Sequence, residues 1–253
     1  MKRGLLMLVG AMLAAVMVLA GPMARADTGA PPVLVELFTS QGCSSCPPAE
    51  AYLIELAARD DLVALSMHVN YWDYIGWTDR FASEATTDRQ RAYGQRIGRG
   101  RVYTPQMVIN GVLDAVGSRR GAVDGAIASA QAGTGLKLAI DLALAEDGAL
   151  LISLPGAHYP GEAAVWLARY DREHLTEIER GENAGRTLRN VNVVRELRQI
   201  GTWTGEPLEI RLPAGALATA DGKGNDGCVI IVQDDGFGQV LGVRMMALVD
   251  GGS

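Results

Sequence analysis

The hydrophobic rhythm of the chain changes once, at residues 132–135, and this switch constrains the fold more than any other feature. Before it, strand and helix signals alternate; after it, apolar residues recur at every second position. Residues 33–39 form an apolar, β-prone run with one acid, Glu36. Residues 47–59 read as a helix, because Ala49, Leu53, Leu56 and Ala57 share a face and proline is tolerated in a first turn. Residues 62–69 are almost continuously apolar, as suits a buried parallel strand. Residues 79–97 predict a polar helix with Ser83 as candidate cap, and residues 106–110 and 112–116 flank Gly111 as a tight strand pair. A helix over 119–131 closes this half, ended by Gly133 and Gly135. The order β-α-β-α-β-β-α predicts an α/β domain. Downstream, Leu136, Leu138, Ile140, Leu142 and Leu144 keep period two, and Asp147-Gly148 marks a hairpin into 149–154. Strands are further expected at 163–170, 191–200, 208–212, 229–233 and 240–247, a pattern that predicts an all-β, sandwich-like domain. The expected division is an α/β domain over 27–134 and a β-sandwich-like domain over 135–253.

Residues 1–26 predict a signal peptide. Lys2-Arg3 precede an apolar stretch over 4–21, and Ala24-Arg25-Ala26 supplies the small-x-small pattern of a cleavage site. The stretch is long enough to cross a bilayer, so an uncleaved anchor is the rival reading. Cleavage takes Lys+Arg from 23 to 20 against 29 acids, leaving a charge near −9. Such a chain has no electrostatic footprint for nucleic acid or, after cleavage, for a membrane surface. The expected location is periplasmic or secreted, where disulfides persist.

Cys43-Ser44-Ser45-Cys46 carries the chemistry. The motif follows a strand and opens a helix, so Cys43 is expected at a helix N-terminus, where free N–H groups and the dipole favour a thiolate. Cysteines so placed titrate at ~3.5–7.5 instead of about 8.5. The two-residue spacing lets a disulfide open and close, with Cys43 as the accessible attacking sulfur and Cys46 as the resolving thiol. The alternatives are a structural bridge and half of a zinc site. The zinc site would need a second CxxC or an HxxxH, which the sequence lacks.

With Thr104-Pro105 just before the strand at 106–110, the element order resembles the thioredoxin superfamily over residues 33–131. That resemblance implies a cis Pro105 facing the disulfide, with Thr104 as the contact residue. It also implies a role for Glu36 as the buried acid that takes the resolving thiol's proton, although Glu36 stands one residue further from Cys43 than the family pattern places it. More narrowly, the chain resembles a family of exported thioredoxin-like bacterial proteins of unassigned function. The matching stretches are Glu36-Leu37-Phe38-Thr39-Ser40-Gln41-Gly42-Cys43, His68-Val69-Asn70-Tyr71-Trp72-Asp73, Tyr103-Thr104-Pro105-Gln106 and Gly185-Arg186-Thr187-Leu188.

Weaker signals surround these. His68 ends the second strand and reads as a structural histidine, a proton carrier or a soft-metal ligand. Tyr71, Trp72, Tyr74 and Trp77 read as packing over the sheet or as the floor of a peptide groove. The polar stretch 182–190, with Arg180, Arg195 and Arg198 nearby, reads as a solvated hairpin or as a loop facing the CxxC edge. Cys228 reads as a buried free thiol. Three functions are compatible with the sequence. The first is an exported thiol-disulfide oxidoreductase acting on protein or small-molecule disulfides through an unidentified redox partner. The second is a binding module with a structural disulfide. The third is a Cu(I)-handling protein built on Cys43 and Cys46, with His68 as a candidate third ligand. Disulfide exchange needs no organic cofactor, and none is expected.

Overall fold

The computed structural model describes residues 31–97, 100–217 and 222–248. The predicted signal peptide lies outside the described residues. Within them the chain runs β1 (Val33–Thr39), α1 (Pro47–Ala57), β2 (Leu62–His68), a 3-10 turn (Asp73–Ile75), α2 (Glu84–Arg96), β3 (Gln106–Ile109), β4 (Leu113–Val116) and α3 (Arg120–Ala132). It continues through β5 (Asp141–Leu144), β6 (Leu150–Leu154), β7 (Ala163–Glu177), β8 (Thr187–Trp203), β9 (Leu208–Leu212), a 3-10 turn (Ala214–Ala216), β10 (Gly227–Asp234) and β11 (Val240–Ala247). Ser83 caps α2 as expected, its side chain accepting from the Thr86 amide at 3.2 Å.

The expected fold class, an α/β thioredoxin-like domain followed by a separate β sandwich, is overturned by the sheet topology. Strands from both halves join one eight-stranded mixed sheet, ordered β11-β10-β7-β8-β2-β1-β3-β4, and only β5, β6 and β9 form a second, small sheet. The protein is mainly β. β1 pairs parallel with β2 and antiparallel with β3. The junction between the halves is β2 against β8, at Ser66 opposite Val193, and the Asn192 side chain donates to the Ala64 carbonyl at 3.0 Å. Hydrophobic period reports which face a strand buries, not which edge it pairs with, so the sequence pattern could not show this junction. The reading of residues 136–145 as one strand is also shortened, to β5. Leu138 sits outside any strand, its amide donating to the Leu241 carbonyl at 2.6 Å.

Three apolar clusters fill the fold. One lies between α1, α3 and the face of β1–β3 that carries Val35, Leu37, Ala64 and Met107. The second joins Leu34, Phe38, Leu65 and Met67 to Val229, Ile231 and Val243, so the sheet curls until β1 and β2 share a core with β10, β11 and Tyr93 of α2. The third lies under the small sheet, against β7 and β10. The C-terminal ends of β1 and β2, with the start of α1, form the edge where the cysteines sit.

Candidate functional site

Cys43 and Cys46 form a disulfide with Cα atoms 5.5 Å apart. Cys46 is the N-cap of α1 and Pro47 occupies its first position. The helix starts at Pro47, as the sequence predicts, but Cys43 stands four residues before it and not at its N-terminus. Its N-terminus also offers less to a thiolate than expected, because Pro47 and Pro48 have no N–H. The amides of Ala49 and Glu50 both donate to the Cys46 carbonyl, at 2.9 and 3.1 Å. The polar neighbours of Cys43 Sγ are hydroxyls: Thr104 Oγ1 donates to it at 3.3 Å, and Ser45 Oγ lies at 3.4 Å. The Thr104-Pro105 peptide bond is cis. Trp72 Nε1 donates to Thr104 Oγ1 at 2.7 Å and so fixes the hydroxyl's orientation.

Access differs from the sequence expectation. Cys43 is 1% exposed and Cys46 is fully buried, whereas Ser44 and Ser45 between them are exposed. Three side chains from two segments close over the cysteine loop. Asn183 Nδ2 donates to the carbonyls of Gln41 and Cys43 at 2.9 and 3.0 Å, and Trp77 Nε1 donates to Gln41 Oε1 at 3.1 Å. Ile75 lies 3.4 Å from where a Cβ on Gly42 would sit. The polar stretch at 182–190 thus does meet the CxxC edge, through Asn183 and through Asn190, whose Oδ1 accepts from Gln41 Nε2 at 3.4 Å. Arg186 reaches Asn183 Oδ1 at 3.2 Å instead of the disulfide.

Glu36 lies on the other face of β1. Odd-numbered residues of this strand meet α1 and even-numbered ones meet α2. Glu36 therefore pairs with Arg89 (Nε–Oε1 2.6 Å) and accepts from the Tyr93 hydroxyl at 2.7 Å, all three buried. The acid on the cysteine side is Glu50, one helical turn after Cys46, which sequence reading missed. Thr39 Oγ1 donates to its Oε1 at 2.8 Å. Burial pushes the Glu50 carboxyl above its ordinary value, against the opposing pull of His68, Thr39 and Asn190. His68, at the end of β2, holds Asp79 through Nδ1–Oδ2 at 2.6 Å with both side chains fully buried. Asp79 also accepts from the amides of Gln41 (2.8 Å) and Phe81 (2.9 Å). Burial raises the Asp79 carboxyl, yet the His68 charge and these donors outweigh it and hold it below the ordinary value. Spacing gives one signal for Glu50, an acid four residues after Cys46 in a first turn. Asp79 has no comparable signal.

Of the aromatic group, Trp72 and Trp77 join the site, while Tyr71 bonds Gln90 at 3.0 Å and Tyr74 is exposed. Cys228 is buried in β10, and burial pushes its thiol up to about 11. Among the described residues no group of three or more His, Cys, Asp or Glu side chains could hold a metal ion, and no helix is long and apolar enough to cross a membrane.

Comparison with known proteins agrees with this architecture. The chain is 32% identical to protein AGR_C_4864 of Agrobacterium tumefaciens, whose crystal structure superposes with a TM-score of 0.74 over 89% of this chain and 97% of that one. HBP35 of Porphyromonas gingivalis shares the fold at 12% identity, with a TM-score of 0.61 over 87% of this chain and 76% of that one. No curated protein matches. The family model described as "Protein of unknown function (DUF1223)" matches residues 34–233, and the chain belongs to that family.

Proposed function

We propose that the protein is an exported thiol-disulfide oxidoreductase, periplasmic or secreted, in which Cys43 is the attacking thiol and Cys46 the resolving one. The observation that carries this reading is the Thr104 hydroxyl on Cys43 Sγ, presented by the Thr104-Pro105 loop beside a CxxC disulfide. That loop and motif are where the resemblance to the thioredoxin superfamily lies. A hydroxyl donor at 3.3 Å supports a thiolate on Cys43 when the bond opens. In the exchange, a thiolate of the partner attacks Cys43 Sγ and the bond to Cys46 breaks. Cys46 leaves as a thiolate and takes up a proton. A second thiol then attacks the mixed disulfide and frees Cys43, so the partner loses two electrons and two protons.

The test is covalent trapping. Reduced Cys46→Ala, mixed with protein and small-molecule disulfides, is expected to accumulate reducible adducts through Cys43, and Cys43→Ala to accumulate few. Equal trapping by both variants, or none by either, overturns the assignment. The competing reading is a binding module with a structural bridge, and the burial of both sulfurs is the observation in its favour.

A further inference from the structure

β7 and β8 continue beyond the body of the sheet as a two-stranded ribbon, paired out to Glu177 opposite Thr187. The ribbon tip is a built turn. The Gly185 amide donates to the Ile178 carbonyl at 2.7 Å, Ile178 to Arg186 at 2.9 Å and Ala184 to Gly181 at 3.2 Å. Gly181 has a φ of +80°, and a Cβ there would lie 3.2 Å from Trp77 Cβ and 3.5 Å from the Ile75 carbonyl. The tip is therefore pressed on the 75–77 segment, which also meets the cysteine loop at Gln41 and Gly42. Asn183 makes the polar link downward. The residue is 1% exposed, both amide hydrogens go to the Gln41 and Cys43 carbonyls, and Arg186 holds its oxygen.

We propose that Asn183 is a specificity-determining residue. It latches the ribbon tip onto the cysteine loop, so that Cys43–Cys46 exchanges with small thiols and disulfides and excludes folded protein dithiols. The proposal rests on the oxidoreductase reading above. Attack on a disulfide requires an approach to sulfur along the S–S axis, and at 1% exposure of Cys43 every reagent needs some local opening. A small thiol needs the rim of the exposed Ser44-Ser45 turn to yield. A folded protein must bring its own backbone to the Cys43 loop, which is where the tip lies, and needs the whole tip withdrawn. The observed rate with each reagent then scales with the population of the opening it requires. The chemical step is the exchange already described, with the reductant oxidised and Cys46 protonated from solvent.

The test compares reduction of the oxidised full chain by dithiothreitol and by reduced thioredoxin, at equal thiolate concentration. Released thiols are counted by alkylation and mass. Wild type is expected to react at least about tenfold faster with dithiothreitol. Asn183→Ala is expected to shrink that ratio by about tenfold, as loss of the two latch hydrogen bonds would give. Arg186→Ala, an exposed change that leaves the core untouched, is expected to shift the ratio the same way by less. Equal rates in wild type, or a ratio unchanged in both variants, overturn the latch while leaving exchange intact. A disulfide inert to both reagents in all three proteins overturns the exchange reading and the latch with it.

Discussion

Glu50 and Glu36 are both buried acids near the cysteine motif, yet their partners differ. Glu36 has a guanidinium and a hydroxyl, whereas Glu50 has one hydroxyl bond and a burial penalty that favours its protonated form. A carboxyl raised above its unfolded value of 4.5 binds more protons in the folded state. Its contribution is fully present below that value and is lost as pH rises through the folded one. Glu50→Gln is therefore expected to stabilise the protein relative to wild type increasingly above about pH 4.5. The gain grows by at most about 1.4 kcal/mol per pH unit and levels off once the folded carboxyl ionises. Urea unfolding from pH 4 to pH 8 checks this, and parallel profiles would contradict it. Asp79 has the reverse sign: its lowered carboxyl stabilises above 3.8 and loses that contribution as pH falls. Asp79→Asn, which replaces the charged acceptor shared by His68 Nδ1 and the Gln41 and Phe81 amides, is expected to cost about 1–3 kcal/mol near neutral pH by the same measurement. The cysteines were legible in the sequence because their motif is local, and Thr104 and Pro105 were singled out through the resemblance alone. Glu50, Asp79 and Asn183 were not assigned roles, since each acts across a gap in sequence that only the folded chain closes.

Most elements could be read from period and punctuation. β1 and β11 have the predicted limits, and α2 starts at its predicted cap. The lengths of β7 and β8 could not. Residues 171–177 are largely polar and carry no period-two signal, yet they are strand because they pair with 187–193, where Leu188, Val191 and Val193 supply the buried apolar side. The β3–β4 turn shows the same division. Asn110 and Gly111 mark it in sequence, and both have positive φ. Its docking is visible only in three dimensions, where a Cβ on Gly111 would lie 2.3 Å from the Gly238 carbonyl, in the turn between β10 and β11. Gly111→Ala is thus expected to lose at least about 1–2 kcal/mol from the left-handed backbone alone. The clash with backbone adds to this, since a carbonyl cannot step aside as a side chain can. Thermal unfolding checks it, and an unchanged midpoint would contradict the docking of the two turns.

At the scale of the molecule, one sheet crosses the residue 132–135 switch that the sequence offered as a boundary. Alternation and period two were both correct descriptions of local segments, but the partner of β8 is β2, and that pairing is non-local. The buried Glu36–Arg89 pair lies beside the core that β1 and β2 share with β10 and β11, and Tyr93 links it to Gln233 of β10 at 3.0 Å. Heat is therefore expected to unfold the chain in one cooperative transition, where two resolved calorimetric transitions would mean that the halves fold separately. The curled sheet also brings the α1 edge, the Thr104-Pro105 loop and the β7–β8 tip to one place, so the candidate site draws on most of the chain. The function proposed for that site requires the Cys43–Cys46 bond to exchange. Structural disulfides in exported proteins typically have potentials below about −300 mV, whereas labile and catalytic ones lie above. Equilibration of the purified protein in thiol–disulfide buffers, read by alkylation and mass, is expected to place the Cys43–Cys46 potential above about −300 mV. A potential clearly below that value would mark the bond as structural and contradict the account.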